Sequence, residues 1–447
     1  MKRYDEYKQT GTPWIGKIPS HWEVKKLSYY ADVITDFVAS GSFADLRNNV
    51  EYKDEPDFAM LVRTADLSKK GSVSRVYISK ESYVFLQNSN LFGGEIVLPN
   101  IGSVGDVYLV PNDLYEHMSL APNSIMVKTR FNKFVYYYFL SKPGNECLLN
   151  ISQGTTQSKF NKTQLRGLKI ILPPLAEQEA IAAYLDKKCG SIDTVIATHE
   201  RRIALLEELK QSVITEAITH GINPDAKLRP SGIDWIGNIP EHWQKCRIKF
   251  IIDNHADGIW GDEEKGNEED INCYRVADFD YDKMEIKKII PTIRNISKEQ
   301  LVGKLVYNGD LLLEKSGGGE ISPVGRVVIA NISEPAVCSN FIHFLHIKST
   351  TTSKFLCYYF NFLYSNKINL LFFNQTTGIQ NLNIHDYLGQ SIYLPPLYEQ
   401  QEIVEYIESK IKPIYASIAK AKREIELLKE LKQSIITEAV TGKIKVC

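Results

Sequence analysis

The 447-residue sequence carries no surplus of charge: 53 lysines and arginines oppose 54 acidic residues, for a formal net charge of −1. A chain so balanced exerts no general attraction on nucleic acid, so composition leans against a DNA binder, and any such binding must rest on local basic patches. Cysteine is sparse and scattered. Cys147, Cys189, Cys246, Cys273, Cys338, Cys357 and Cys447 form no CxxC pair and no His/Cys cluster at zinc-ligand spacing. They read as reduced packing residues of a cytosolic protein rather than a disulfide framework or a zinc site. Long apolar runs are also missing. Stretches such as 134–140 are far too short to span a bilayer, and the polar segment 1–11 has no signal-peptide core. A soluble, cytoplasmic chain is expected, and its length predicts two modules rather than one core.

Catalytic signatures are absent as well. No G-x-x-x-x-G-K-[ST] loop is present, so ATP binding is not expected, and the nine histidines form no HExxH or H-x-H site. Leu172-Pro173-Pro174-Leu175 and Leu394-Pro395-Pro396-Leu397 lack the polar first residue with which an adenine methyltransferase loop holds an amino group. The triplets Glu263-x-Lys265 and Glu285-x-Lys287 could serve a nuclease, but such spacings arise by chance in a chain this rich in both charges. The chain is expected not to be an enzyme.

What the chain does have is a copy of itself. Trp14-Ile15-Gly16-Lys17-Ile18-Pro19-Ser20-His21-Trp22 recurs as Trp235-Ile236-Gly237-Asn238-Ile239-Pro240-Glu241-His242-Trp243. Leu172-Pro173-Pro174-Leu175-Ala176-Glu177-Gln178 recurs as Leu394-Pro395-Pro396-Leu397-Tyr398-Glu399-Gln400, and Leu209-Lys210-Gln211-Ser212 as Leu431-Lys432-Gln433-Ser434. The offset is 221 at Trp14 and 222 at Pro173 and Leu209, which marks a tandem duplication with a period of half the chain. Between these motifs, 29–138 and 250–359 share little beyond a framework: Gly94-Glu95-Ile96-Val97-Leu98 matches Gly309-Asp310-Leu311-Leu312-Leu313, and Val104-Gly105-Asp106-Val107 matches Val324-Gly325-Arg326-Val327. One scaffold with two diverged inserts suggests one task performed on two targets. Short β-branched and aromatic runs such as 324–330 and 341–347 predict strands, and 133–140 and 353–363 predict helices.

After each Pro-Pro the hydrophobic period becomes helical. Glu177 and Glu399 fall in a first turn, where a carboxylate suits the helix dipole, and a break is predicted near Gly190 and Pro413. Beyond it Ile192, Ile196, His199, Ile203, Leu206, Lys210, Val213 and Ala217 alternate at 4-3 spacing, as do their counterparts from Ile414 to Ala439. This is a coiled-coil seam. Leu205, Leu209, Leu427 and Leu431 widen the apolar face beyond the seam and are candidate partner-binding residues. A helix over 191–219 would span ~43 Å, somewhat more than one turn of B-DNA. The short linker 221–231 favours antiparallel pairing. Lys210 and Lys432 on the seam read either as register-setting residues or as lysines lying over apolar neighbours. His21 and His242, each beside a tryptophan, read as packing or capping residues. The architecture expected is α+β: two mixed recognition domains (1–171 and 222–393), separated by helical regions (172–221 and 394–447) that form an antiparallel coiled coil with pseudo-two-fold repeat.

The duplicated W-I-G-x-I-P-x-H-W, L-P-P-L-x-E-Q and E-L-K-Q-S-[VI]-I-T-E-A motifs resemble, over essentially the whole chain, specificity subunits of type I restriction–modification systems. Lys315-Ser316-Gly317-Gly318-Gly319 and Thr376-Thr377-Gly378-Ile379-Gln380-Asn381 resemble one common type of target recognition domain; the first half departs, with Asn100-Ile101-Gly102-Ser103 and Gly154-Thr155-Thr156-Gln157-Ser158-Lys159 in their place. The resemblance implies that each domain reads one half of a gapped double-stranded DNA site while the helices set the spacer and dock two modification subunits. S-adenosylmethionine, ATP and Mg²⁺ would then belong to modification and restriction subunits, with no cofactor in this chain.

Candidate DNA-binding residues follow. Glycines 317, 318 and 319 allow close approach to phosphate beside Lys315 and Ser316. Thr376, Thr377, Gln380 and Asn381, with Asn100, Ser103, Thr155, Thr156, Gln157 and Lys159, offer hydrogen bonds to phosphates or base edges. Arg63 and Arg275, in the matched stretches Arg63-Thr64-Ala65-Asp66 and Arg275-Val276-Ala277-Asp278, are further candidates or structural partners of those aspartates. A coiled-coil adaptor with two protein-binding domains and no DNA recognition is the competing reading.

Overall fold

The computed structural model describes residues 2–12, 14–68, 74–152, 158–319, 322–376 and 379–446. It comprises two compact units, Met1–Glu200 with Lys422–Cys447, and Arg201–Ala421. Each unit thus takes part of both long helices, a division that cuts across the four consecutive segments drawn from sequence.

In the first unit the strands Tyr108–Leu109, Ile96–Pro99, Ser124–Thr129 and Ala31–Asp36 form, in that order, an antiparallel sheet. Ile96–Pro99 is apolar throughout because both faces are covered. Ile96 and Leu98 join the core that contains Trp22, Phe134 and Tyr138, while Val97 joins a second core with Met60 and Met118. Helices Asn132–Leu140 and Lys142–Ile151 lie on the larger core, and a five-stranded mixed sheet holds the parallel pair Ala59–Val62 and Met118–Leu120.

The second unit repeats the plan. Val327–Ile329, Leu311–Glu314, Ile342–Ile347 and Ile252–Asp257 follow in the same order, extended by two short strands. Leu311 and Leu313 pack with Trp243, Phe355 and Phe360; Leu312 packs on the other face with Val328 and Phe344. Helix Ser353–Ser365 stands where the sequence predicts one. The registers correspond: Asp36 lies opposite Ile125, and Asp257 opposite His343, at equivalent strand ends.

The strand Lys169–Leu172 pairs with Glu23–Lys26, and Ser391–Leu394 with Gln244–Arg247; each runs through Pro-Pro directly into a long helix, Leu175–His220 or Leu397–Val440. Neither helix breaks. Gly190 and Pro413 both sit inside continuous helix, so the predicted interruptions are corrected. A helix-interior proline costs about 3 kcal/mol and a glycine about 1. Buried Ile407, Ile411, Ile414 and Ile418 around Pro413, and Cys189, Ile192 and Ile196 near Gly190, outweigh this at roughly 1.5–3 kcal/mol per aliphatic side chain.

In the first unit the helices run antiparallel. Lys432 Nζ reaches Asp193 at 2.7 and 2.8 Å, and His199 lies 3.5 Å from Glu424. In the second unit the counterpart of Lys432, Lys210, lies over the ring of Tyr415, the counterpart of Asp193, at 5.0 Å, and also pairs with Glu207. Across the helix pair Lys432 thus makes an ion pair, whereas Lys210 covers a tyrosine ring and finds its carboxylate on its own helix.

Each opening motif docks on a helix start. Glu177 accepts hydrogen bonds from Tyr4 Oη (2.7 Å) and Trp22 Nε1 (2.9 Å), with His21 Nε2 at 2.6 Å. Glu399 takes Trp243 Nε1 (3.0 Å) and His242 Nε2 (2.7 Å). The neighbouring Gln178 and Gln400 donate back to the carbonyls of Pro173 and Pro395. The tail of each helix then seals the same spot: Ala217 and Ile218 pack in the core of Trp243, and Ala439 and Val440 in the core of Trp22. At Gly442, just past the helix, φ is +70° and a Cβ would stand 2.4 Å from Pro19, so only glycine fits. None of the described helices is long and apolar enough to cross a membrane.

Candidate nucleic-acid interface

The stretches singled out in each half of the sequence meet in space. In the second unit Leu311–Glu314 continues through Lys315 into a short strand, Ser316–Gly318, which pairs with Ile379–Leu382; that strand pairs in turn with Phe373–Thr376. Ser316 lies opposite Asn381, and its Oγ donates to Asn381 Oδ1 at 2.5 Å. Gly318 lies opposite Gln380, whose Oε1 is buried without a hydrogen-bond partner among the described residues. A Cβ at Gly318 would stand 2.7 Å from the Val324 nitrogen and 2.8 Å from the Ser322 oxygen, so glycine is required there by close backbone approach. Gly317 and Gly319 are exposed. Of Thr376 only the backbone is described, and Thr377 lies outside the described residues.

The first unit builds the same junction from other residues. Ile96–Pro99 continues into Asn100, whose carbonyl accepts from Phe160 N at 3.0 Å and whose Nδ2 donates to the Phe160 carbonyl at 3.2 Å. Ile101 bridges to Lys159, and Gly102 N donates to the Ser158 carbonyl. Ser103 and Lys159 are exposed. Thr155, Thr156 and Gln157 lie outside the described residues. The equivalence reaches single bonds: Asn100 N donates to the Asn123 carbonyl at 3.1 Å, as Lys315 N does to the Phe341 carbonyl at 3.0 Å.

Each junction carries a lysine held by the aspartate at the end of the neighbouring strand. Lys162 pairs with Asp36 at 2.7 Å and Lys315 with Asp257 at 2.6 Å. Asp257 also receives His343 Nδ1 at 2.6 Å, and His343 Nε2 in turn lies 2.8 Å from His255 Nδ1. The hydrogen bond from His343 and those from Lys315, acting against burial, hold the Asp257 carboxyl well below the usual carboxylate range. Burial, aided by the neighbouring His343, pushes His255 below the ordinary histidine value.

Arg63 and Arg275 form matching structures. Arg63 grips Asp66 through Nε and Nη2, both at 3.0 Å, and also bonds to the Ser74 carbonyl. Arg275 grips Asp278 at 3.4 and 3.2 Å. Both are therefore built into turns, but the Arg275 side chain stays 46 % exposed and lines a cavity of about 490 Å³ with Trp260, Ser316, Gly317, Asn340 and Phe341. A cavity of about 430 Å³ in the first unit is lined by Phe43, Arg47, Asn100, Ile101 and Asn123. Sequence reading missed Arg47, Asn123, Trp260, Asn340 and Phe341, because they lie in the segments where the two halves no longer align. Among the described residues no group of His, Cys, Asp or Glu is arranged to hold a metal ion.

Leu205, Leu209, Leu427 and Leu431 are 56, 51, 46 and 49 % exposed, so the helix face outside the seam is apolar and uncovered.

Against known proteins, the family model described as the type I restriction modification DNA specificity domain matches twice, over residues 19–208 and 240–427. The chain is 26 % identical to the type I restriction enzyme MjaVIII specificity subunit of Methanocaldococcus jannaschii, over 71 % of this chain and 72 % of that one. It is 22 % identical to the MjaIX specificity subunit of the same organism, over 99 % and 97 %. A solved chain from work on complex assembly and conformational transition of the type I R-M system shares the fold with a TM-score of 0.66 at 17 % identity, covering 96 % of this chain and 99 % of that one. With two domain matches that together span most of its length, the chain belongs to the type I restriction modification DNA specificity family.

Proposed function

We propose that this chain is the DNA-reading subunit of a type I restriction–modification assembly, non-catalytic in itself, with each unit reading one half of a two-part, gapped site. The observation that carries the reading is the duplicated junction. In both units the described parts of the stretches nominated from sequence meet beside a held lysine, through a strand pair in the second and a single bridge in the first, on a shared scaffold with different side chains. Same scaffold and different chemistry is what two different half-sites require.

The antiparallel helices set the distance between the half-sites. Their exposed leucines dock the modification subunits, which supply S-adenosylmethionine and methylate adenine; restriction subunits supply ATP- and Mg²⁺-dependent cleavage. The near-zero net charge fits a subunit that binds DNA tightly only inside such an assembly, where partners add the phosphate contacts.

The test is methylome sequencing of cells expressing the chain with its modification subunit, against cells lacking the chain. A gapped, asymmetric adenine-methylated motif is expected, and exchanging residues 29–138 for those of a relative should change one half of it. An unchanged methylome in cells where the complex demonstrably assembles would refute DNA reading and leave the two-armed protein adaptor in its place.

A further inference from the structure

Each unit carries its hollow at the same place in the scaffold. In the first, the walls are the ends of Ala31–Asp36 and Ile96–Pro99 and the turn that leads into Ser124–Thr129; in the second, they are the Trp260 loop, the end of Leu311–Glu314 and the turn that leads into Ile342–Ile347. A gap left by imperfect packing has no reason to recur at corresponding strand ends in two domains that share almost no residues there. The two volumes, about 430 and 490 Å³, fall in the range of sites that take a small molecule or a single base.

The linings differ in residue but agree in kind. Each has one arginine, one asparagine on the turn and an exposed aromatic ring. Arg47 is exposed and forms no ion pair among the described residues. Arg275 engages Asp278 through Nε and Nη2 only, which fixes the guanidinium plane while leaving it half-exposed. Asn123 and Asn340 are exposed, and neither side chain has a hydrogen-bond partner among the described residues. Phe43 is 83 % exposed, and Trp260 is stacked by Arg294 at 4.2 Å. Arginine pairs bidentately with the guanine edge and asparagine with the adenine edge, and an apolar ring suits the thymine methyl. Guanidinium and carboxamide also hold phosphates, but grouped beside an exposed ring in a hollow at the strand ends they form a kit for base edges.

We propose that the two hollows are the base-reading sites of the molecule. Arg47 and Asn123 discriminate at one half-site, Arg275 and Asn340 at the other, and the lysines of the adjacent junctions serve the backbone. This rests on the DNA-reading function above and adds which side chains carry the specificity. The same kit stands on different elements in the two linings, with Arg47 on the helix Phe43–Asn49 and Arg275 at the turn that ends at Asp278, so one chemistry meets two different half-sites on one scaffold.

The experiment maps the methylated motif written by the complete complex carrying the wild-type chain, Arg47→Ala or Asn340→Ala, and measures competition by duplexes with single base-pair changes. Both side chains are exposed, so the variants retain the fold. Asn340→Ala should relax discrimination roughly tenfold or more at one position of one half-site and leave the other half intact. Arg47→Ala should do the same in the opposite half. A motif unchanged in both variants, or a uniform loss of methylation with the same motif, overturns the assignment while leaving DNA reading in place. A wild-type complex that writes no gapped motif overturns both.

Discussion

Glu177 and Glu399 do more at the residue scale than suit a helix dipole. Each collects an indole N–H and a histidine from a motif about 155 residues earlier and so locks the opening motif of its unit onto the long helix. Trp22 and Trp243 are fully buried, so Glu177→Ala or Glu399→Ala leaves a buried N–H unpaired and should lower stability by about 2 kcal/mol in chemical denaturation. Asp257 makes a second residue-scale prediction. Its folded-state pKa lies below the ordinary value, so its stabilisation is fully present above the unfolded carboxylate value of about 4 and is lost as pH falls below it toward the depressed folded value. Asp257→Asn should therefore be less stable near neutral pH and show a shallower acid decline in a pH series of melting temperatures. The sequence motif announced the His-Trp pairs but not their partner, since nothing in local spacing says which carboxylate a distant indole will meet. His21 and His242 prove to be exposed side chains that partner that carboxylate.

At the scale of the element, the long helices hold a proline and a glycine that local propensity reads as stops. Tertiary packing overrides both. Pro413→Ala should restore a main-chain donor without removing any of the buried isoleucines, and raise stability by about 2 kcal/mol after the gain in unfolded-chain entropy is deducted. A rise in melting temperature would confirm it; no rise would show that the helix is already relaxed around the proline. The uncovered leucines predict the opposite kind of result. Replacing Leu205 and Leu209, or Leu427 and Leu431, by glutamate should leave the free chain as stable as before, because these side chains are half-exposed. Each pair should abolish capture of one modification subunit, read as the stoichiometry of the purified complex. The 4-3 seam was fully legible, and every seam position proves buried or half-buried.

On the scale of the whole molecule, a net charge of −1 predicts weak, salt-sensitive DNA binding by the free chain and strong binding by the assembled complex. Titrations of the complex at several salt concentrations should show log affinity falling linearly with log salt. Arg47→Ala and Asn340→Ala should leave that slope nearly unchanged, because base edges release no counterions. Lys315→Ala should lower the slope by about one phosphate contact. A slope that follows the base-reading variants instead would place those side chains on the backbone.

From the sequence alone came the duplication, the α+β class, the coiled-coil seam and the outward leucines, because periodicity and repetition are local patterns that survive without knowledge of contacts. The stretches 100–103 and 154–160, and 315–319 and 376–382, could also be nominated, although not paired. Only the tertiary structure decided that these segments are strand neighbours, that each unit takes part of both helices, and that a hollow opens at corresponding sheet ends. Such facts depend on which distant side chains share a volume. In the diverged inserts, where Arg47, Asn123, Trp260 and Asn340 lie, the repeat that guides sequence reading has been erased, while the strand order that positions them has been kept by burial on both faces of the sheet.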